Sequence, residues 1–83
     1  MEIVYTKSAA KDLESLPKEI QKRLATKMRF YATQPDPLKF AERLTDAELG
    51  DYRFRVGDWR IIFDVIGKEI VVLKIKKRDQ VYK

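Results

Sequence analysis

The residues that could do chemistry gather in one stretch, YRFRVGDWRIIF at positions 52–63, and in the tail after it. Arg53, Arg55 and Arg60 fall in the first. Lys74, Lys76, Lys77, Arg78 and Tyr82 fall in the second. Guanidinium groups grip phosphates through paired N–H donors, and a tyrosine ring beside them can stack on an unpaired base, a contact worth about 1–3 kcal/mol. The combination fits single-stranded RNA better than a small anion. The same groups could cut RNA without a metal, because cations stabilise the charge that builds on a phosphate as the neighbouring 2′-hydroxyl attacks it. Proton transfer must come from other residues, since arginine stays protonated. Glu42, Asp64, Asp79, Tyr82 or a lysine of lowered pKa are the groups available.

The stretch that carries the arginines reads as two strands joined by Gly57-Asp58, a pair suited to a type II′ turn. That turn sets Val56 opposite Trp59, Arg55 opposite Arg60, Phe54 opposite Ile61 and Tyr52 opposite Phe63. Side chains alternate along a strand, so Tyr52, Phe54, Val56, Trp59, Ile61 and Phe63 share a core face. Arg53, Arg55, Arg60 and Ile62 share the other. Like charges directly opposite one another destabilise a sheet by a few tenths to about 1 kcal/mol, which suggests a face built to meet an anion. The plain alternative is a solvated face whose arginine stems cover apolar surface.

Net charge supports the first reading by its location. Residues 1–52 carry nine Lys/Arg against nine Asp/Glu, whereas residues 53–83 carry nine against four, so the whole +5 lies with the hairpin and the tail. Such a segregated basic segment is the electrostatic footprint of a nucleic-acid binder, or of a surface that docks an acidic protein. Cysteine and histidine are both absent. Their absence excludes a disulfide framework, thiol nucleophiles and histidine-based metal or acid–base chemistry; neither a metal nor a cofactor is expected. No apolar run nears the roughly 20 residues of a membrane span, and the N-terminus lacks the shape of a signal peptide. A cytoplasmic protein that does not engage membranes is the expectation.

The elements that must position the arginines follow from periodicity. Residues 2–6 alternate as a short strand with Ile3 and Tyr5 inward. Ser8 is the expected N-cap of a helix over about 9–16 with Leu13 and Leu16 inward, and Pro17 suits the first turn of a second helix running to about Thr33. Ile20, Leu24, Met28 and Tyr31 make its apolar stripe. Gln34-Pro35-Asp36-Pro37 breaks the helix. A long, weakly patterned connection then reaches Gly50, anchored by Leu38, Phe40 and Leu44. It carries Asp36, Glu42, Asp46 and Glu48, one of which is expected near the arginines. The last strand covers about residues 69–76 after a turn at Gly67. An odd-length connection or a bulge is expected, placing Val71, Leu73 and Ile75 on the core face and Lys74 and Lys76 beside Arg60. The sum is an α+β domain spanning residues 1–83: an N-terminal strand, a two-helix hairpin, then a three-stranded antiparallel meander. The helices pack on one face of the sheet, the first strand has the option of pairing parallel to a later one, and the arginines lie on the uncovered face.

YRFRVGDWRIIF, followed by IVVLKI and KKRDQVYK, resembles the RelE/ParE superfamily of toxins from type II toxin–antitoxin systems, over essentially the whole chain. The resemblance implies a RelE-like fold and a small bacterial or archaeal toxin held inactive by a cognate RelB-like antitoxin, which would cover the basic face or displace the tail containing Tyr82. In the RelE branch it implies an endoribonuclease that cuts mRNA in the ribosomal A site by 2′-hydroxyl attack, leaving a 2′,3′-cyclic phosphate. The partners would then be a 70S-type ribosome, its rRNA and mRNA. Arg53 and Arg55 fall where the RelE toxin has two lysines. Arg60 matches its phosphate-polarising arginine. Arg78 and Tyr82 match its C-terminal arginine and base-stacking tyrosine, and Glu42 falls near the catalytic glutamate of YoeB-type relatives. The implied catalytic set is Arg60, Arg78, Tyr82, Arg55 and Glu42, with Arg53, Arg55, Lys74, Lys76 and Lys77 contacting RNA. Two departures bear on the general base: Lys77-Arg78 stands where many relatives have His-Arg, and the two lysines are arginines here. The alternative is a noncatalytic toxin of the ParE kind that inhibits DNA gyrase, or a degenerate toxin that only binds its antitoxin.

Overall fold

The computed structural model describes residues 1–45 and 49–79. Hydrophobic alternation and helical periodicity produce the expected strand, two helices and three later strands, with two short elements added between: β1 (Glu2–Tyr5), α1 (Lys7–Glu14), α2 (Lys18–Ala32), a 3-10 turn (Pro37–Phe40), β2 (Ala41–Arg43), β3 (Tyr52–Val56), β4 (Trp59–Ile66) and β5 (Glu69–Lys77). The strands form one five-stranded sheet in the order β1-β5-β4-β3-β2. β3, β4 and β5 are the expected meander, and β1 lies parallel to β5. The three residues of β2, inside what reads as a connection, add an antiparallel edge strand against β3. So short a strand has too few residues to show an alternation.

One face of the sheet carries the core. Leu24, Met28 and Tyr31 of α2 are buried with Phe54, Ile61, Phe63, Ile70, Val72 and Ile75. The Tyr31, Phe54 and Phe63 rings stack in series, with centroids 4.2 and 4.4 Å apart. Burying each such side chain contributes about 1.5–3 kcal/mol. Leu13, Leu16 and Ile20 pack around this cluster.

The hairpin has the expected register, from Val56 opposite Trp59 to Tyr52 opposite Phe63. Gly57 takes φ 60° and Asp58 stays at negative φ, as a II′ turn requires. Between β4 and β5 the register shifts: Phe63 pairs with Val72, yet Ile62 pairs with Lys74. Leu73 is therefore the extra residue of a bulge. The bulge keeps Ile75 opposite Ile61 and sets Lys76 opposite Arg60, as expected. Val71 and Leu73, expected in the core, instead lie on the opposite face, because the shift falls after Val72 and leaves Ile70 and Val72 pointing inward.

The start of α1 explains why the bulge falls there. Thr6, and not Ser8, is the N-cap: its Oγ1 accepts from Ala9 N at 3.1 Å. The same hydroxyl donates to Leu73 O at 3.3 Å, and Thr6 N donates to Val72 O. Once β1 ends, Asp12 Oδ2 accepts from Ile75 N at 3.0 Å. The helix thus takes over the β5 backbone groups that β1 abandons, meeting the need of every buried N–H and C=O for a partner.

Candidate nucleic-acid interface

Behind the core, the second face of the sheet carries two cross-strand rows. One runs Glu42–Arg53–Ile62–Lys74 and the other Arg55–Arg60–Lys76. Directly opposed residues on neighbouring strands lie about 4.5–5.5 Å apart, so the second row sets three cations side by side.

This face is not the uncovered surface the sequence suggests. Ile62 is 2% exposed, Arg60 4% and Arg53 8%. Part of the cover is backbone. At Gly50, φ is 138° and a Cβ would stand 2.7 Å from Ile62 Cγ2 and 3.0 Å from Leu73 Cδ1, so the chain entering β3 lies directly on the sheet. Asp64 Oδ1 holds this approach by accepting from Asp51 N at 2.8 Å. That contact occupies one of the carboxylates considered for acid–base work.

Glu42 provides the anion near the arginines. Its position on β2 sets it opposite Arg53, with Oε2 3.0 Å from Arg53 Nη2 and Oε1 2.7 Å from Arg55 Nε. The hydrogen bond from Arg53 is the main reason its carboxyl sits below the usual glutamate range; burial opposes this, and the charges of Arg53, Arg55 and Arg60 add to it. A carboxylate held this way is ionised near neutral pH and weak as a base until the guanidinium groups let go.

Arg60 is turned along its own hairpin. Nη1 donates to Gly57 O and to Trp59 O, both at 2.9 Å. Its buried Nε has no acceptor among the described residues, an arrangement that costs about 1–3 kcal/mol. Arg55 is the accessible member of the row, its side chain 57% exposed. Lys76 is half-buried beside Arg60. Lys74 shares the face, but its ammonium is engaged by Ser8 Oγ at 2.6 Å. Lys77 lies opposite Trp59, with Nζ 5.8 Å from the ring centroid. Arg78 extends the ladder by donating its backbone N–H to Asp58 O at 2.8 Å, which brings it to the hairpin tip beside Asp79. Tyr82 lies outside the described residues.

The fold thus gathers Glu42, Arg53, Arg55, Arg60 and Lys76 on one face and sets Arg78 at its end. It directs Lys74 and Lys77 to other partners. Sequence reading overlooked Arg23, which meets the hairpin tip from α2: its Nη2 lies 3.0 Å from where a Cβ on Gly57 would sit. Only the charge of a residue off the apolar stripe marked it. No group of His, Cys, Asp or Glu among the described residues could hold a metal ion. No helix among them is long and apolar enough to cross a membrane.

Residues 3–82 match the family described as ParE toxin of type II toxin-antitoxin system, parDE. Several solved structures share the fold, three of them toxin–antitoxin complexes from different organisms. The chain is 34% identical to one in the archaeal RelE–RelB complex from Pyrococcus horikoshii, with a TM-score of 0.72, covering 93% of each chain. It is 25% identical to one in the RelB–RelE antitoxin–toxin complex from Methanococcus jannaschii, with a TM-score of 0.72, covering 96% of this chain and 95% of that one. A chain of the RelBE2 toxin–antitoxin complex from Mycobacterium tuberculosis is 23% identical, with a TM-score of 0.75, over 93% of this chain and 96% of that one. No curated protein matches the sequence.

Proposed function

Starting from a chain that belongs to the ParE toxin family of type II toxin–antitoxin systems, we propose that it stops translation by cutting mRNA in the ribosomal A site, as a metal-independent endoribonuclease. The observation that carries this reading is the Arg55–Arg60–Lys76 row, three cations opposed on adjacent strands, which like-charge repulsion disfavours unless an anion completes it. A scissile phosphate would be that anion.

In the proposed reaction the 2′-oxygen attacks the adjacent phosphorus, the bond to the 5′-oxygen of the next nucleotide breaks, that oxygen takes a proton from solvent to leave as a hydroxyl, and a 2′,3′-cyclic phosphate remains. Arg60 and Arg55 hold the non-bridging oxygens as charge builds on them. A phosphate oxygen would also give Arg60 Nε its missing acceptor. Arg78 adds charge at the hairpin tip, Tyr82 stacks on a base, and Lys76 contacts the RNA backbone, joined by Arg53, Lys74 and Lys77 as these exchange Glu42, Ser8 and Trp59 for phosphate. Glu42 takes the 2′-hydroxyl proton once phosphate has drawn Arg55 away from it. That competition raises its basicity when substrate is bound. The partners in this reading are the ribosome with its rRNA and mRNA, and a RelB-like antitoxin that silences the toxin; the compartment is the cytoplasm.

A second reading rests on the Glu42 contacts. With Arg53 and Arg55 already sharing the Glu42 carboxylate, the face can be a structural ion cluster in a noncatalytic toxin that acts on DNA gyrase. Primer extension on mRNA in a purified translation system, with wild type and Arg60→Ala side by side, separates the two. Ribosome-dependent breaks from wild type alone support the endoribonuclease. Intact mRNA together with blocked DNA supercoiling supports the second reading.

A further inference from the structure

Neither reading uses the sole tryptophan. Trp59 lies on the core-facing side of the hairpin tip, half-buried, in a cleft of about 420 Å³ lined by Pro17, Ile20, Arg23, Asp58, Trp59 and Lys77. A second cleft of about 250 Å³ adjoins it through Asp58 and Lys77 and adds Arg78 and Asp79. Arg23 packs against the Gly57 backbone. Its guanidinium makes no hydrogen bond or ion pair among the described residues. Gly57 is thereby flanked by two guanidinium groups, Arg23 on one side and Arg60, through the Gly57 carbonyl, on the other.

We infer that this cleft is a nucleotide-binding subsite, in which one unpaired base of a single-stranded RNA stacks on Trp59 and its phosphate is held by Arg23. An indole ring offers a stacking surface to any base, here once the Lys77 ammonium, 5.8 Å from the ring centroid, swings toward the phosphate. Pro17 and Ile20 make the apolar wall that a base, but not a bare phosphate, would use. Asp58 at the mouth accepts N–H groups from a base edge, as carboxylates do from exocyclic amines, and with Asp79 it disfavours an acidic peptide. The volume falls within the about 300–1,000 Å³ of small-molecule sites. The inference rests on the RNA reading above. It adds a second contact for the same strand across the hairpin tip from the Arg55–Arg60–Lys76 row.

Trp59 fluorescence tests it without a ribosome. A single-stranded hexaribonucleotide is titrated into the protein, with inorganic pyrophosphate and polyglutamate as controls. Saturable quenching by the RNA alone is expected, weakened about fivefold to tenfold by Arg23→Ala, the loss of one charge-assisted contact. Arg23 is exposed, so this variant should keep the wild-type circular dichroism spectrum. Absent quenching, equal quenching by polyglutamate, or an unchanged titration of Arg23→Ala would each overturn the subsite. Quenching without mRNA cleavage would leave the subsite standing and overturn the endoribonuclease reading; cleavage without quenching would do the reverse.

Discussion

Arg55 and Arg60 stand directly opposite each other on β3 and β4, and among the described residues only Arg55 is ion-paired with a carboxylate. Glu42 Oε1 lies 2.7 Å from Arg55 Nε. Arg60 instead turns its Nη1 to the carbonyls of Gly57 and Trp59. The repulsion is partly balanced from within, and an anion that binds this row must compete with Glu42 for Arg55.

That competition makes the Glu42→Gln variant informative. It should bind single-stranded RNA more tightly than wild type in a filter-binding assay, because an internal rival for Arg53 and Arg55 is weakened. Its cleavage rate should fall by about 10²-fold, the lower end of the usual contribution of a general base. Tighter binding with unchanged cleavage would make Glu42 a structural partner of the arginines and remove it from the chemistry.

Glu42 also sets a pH dependence. Its folded pKa is depressed, mainly by the Arg53 hydrogen bond, so the folded state binds fewer protons here than the unfolded chain. Its stabilising contribution is present above the unfolded value of about 4.3 and is lost as pH falls through the folded pKa. Urea melts of wild type should therefore weaken below about pH 4.3, and the Glu42→Gln variant should lose less over that window. Parallel pH profiles for the two proteins would contradict it.

Arg60→Ala removes two hydrogen bonds from a buried side chain. It should cost about 1–3 kcal/mol of stability, read as a lower urea midpoint, and reduce mRNA cleavage by about 10²–10³-fold. Arg60→Lys keeps a charge and much of the stem. It should recover most of the stability and little of the cleavage. Full cleavage by either variant at a temperature where it remains folded would take Arg60 out of the site.

Gly50→Ala places a methyl group 2.7 Å from Ile62 Cγ2 at a φ of 138°, a conformation closed to L side chains at a cost of about 1–3 kcal/mol. A loss of stability in that range is expected by thermal melting. Ile62→Ala in the same chain should relieve the clash but not the backbone strain, so the pair should be less destabilised than the sum of the two single variants.

Deleting Leu73 removes the bulge between β4 and β5. Lys74 would stay opposite Ile62 and Ile75 opposite Ile61, so the pairing is kept and the contacts of Leu73 with Gly50 and Thr6 are lost. The deletion should keep cooperative unfolding and lower the urea midpoint; loss of the cooperative transition would show that the bulge itself is needed for the fold. Thr6→Ala, which leaves the bulge in place but removes the cap of α1, should cost only about 0.5–2 kcal/mol.

Local pattern alone determined much of this protein. Alternation around Gly57-Asp58 specified the hairpin register and both faces, because a two-residue turn allows one pairing and burial tolerates no slip. The period of Ile20, Leu24, Met28 and Tyr31 specified the buried side of α2, and the charge imbalance after residue 52 placed the basic face. A shift, by an odd-length connection or a bulge, was implied because only that keeps Lys74 and Lys76 out of the core; which of the two, and where, was not. Tertiary structure decided what depends on segments distant in sequence meeting. β2 became a strand only because β3 offered an edge, and that pairing carries Glu42 to Arg53 and Arg55 across eleven and thirteen residues. Thr6 replaced Ser8 as the cap because its hydroxyl also meets Leu73 O from the far end of the chain. The approach of Gly50 buried a face that charge alone would leave in water, and the crossing of α2 brought Arg23 to Gly57. Periodicity reports which side of an element faces inward; it carries no record of which distant residue will be waiting there.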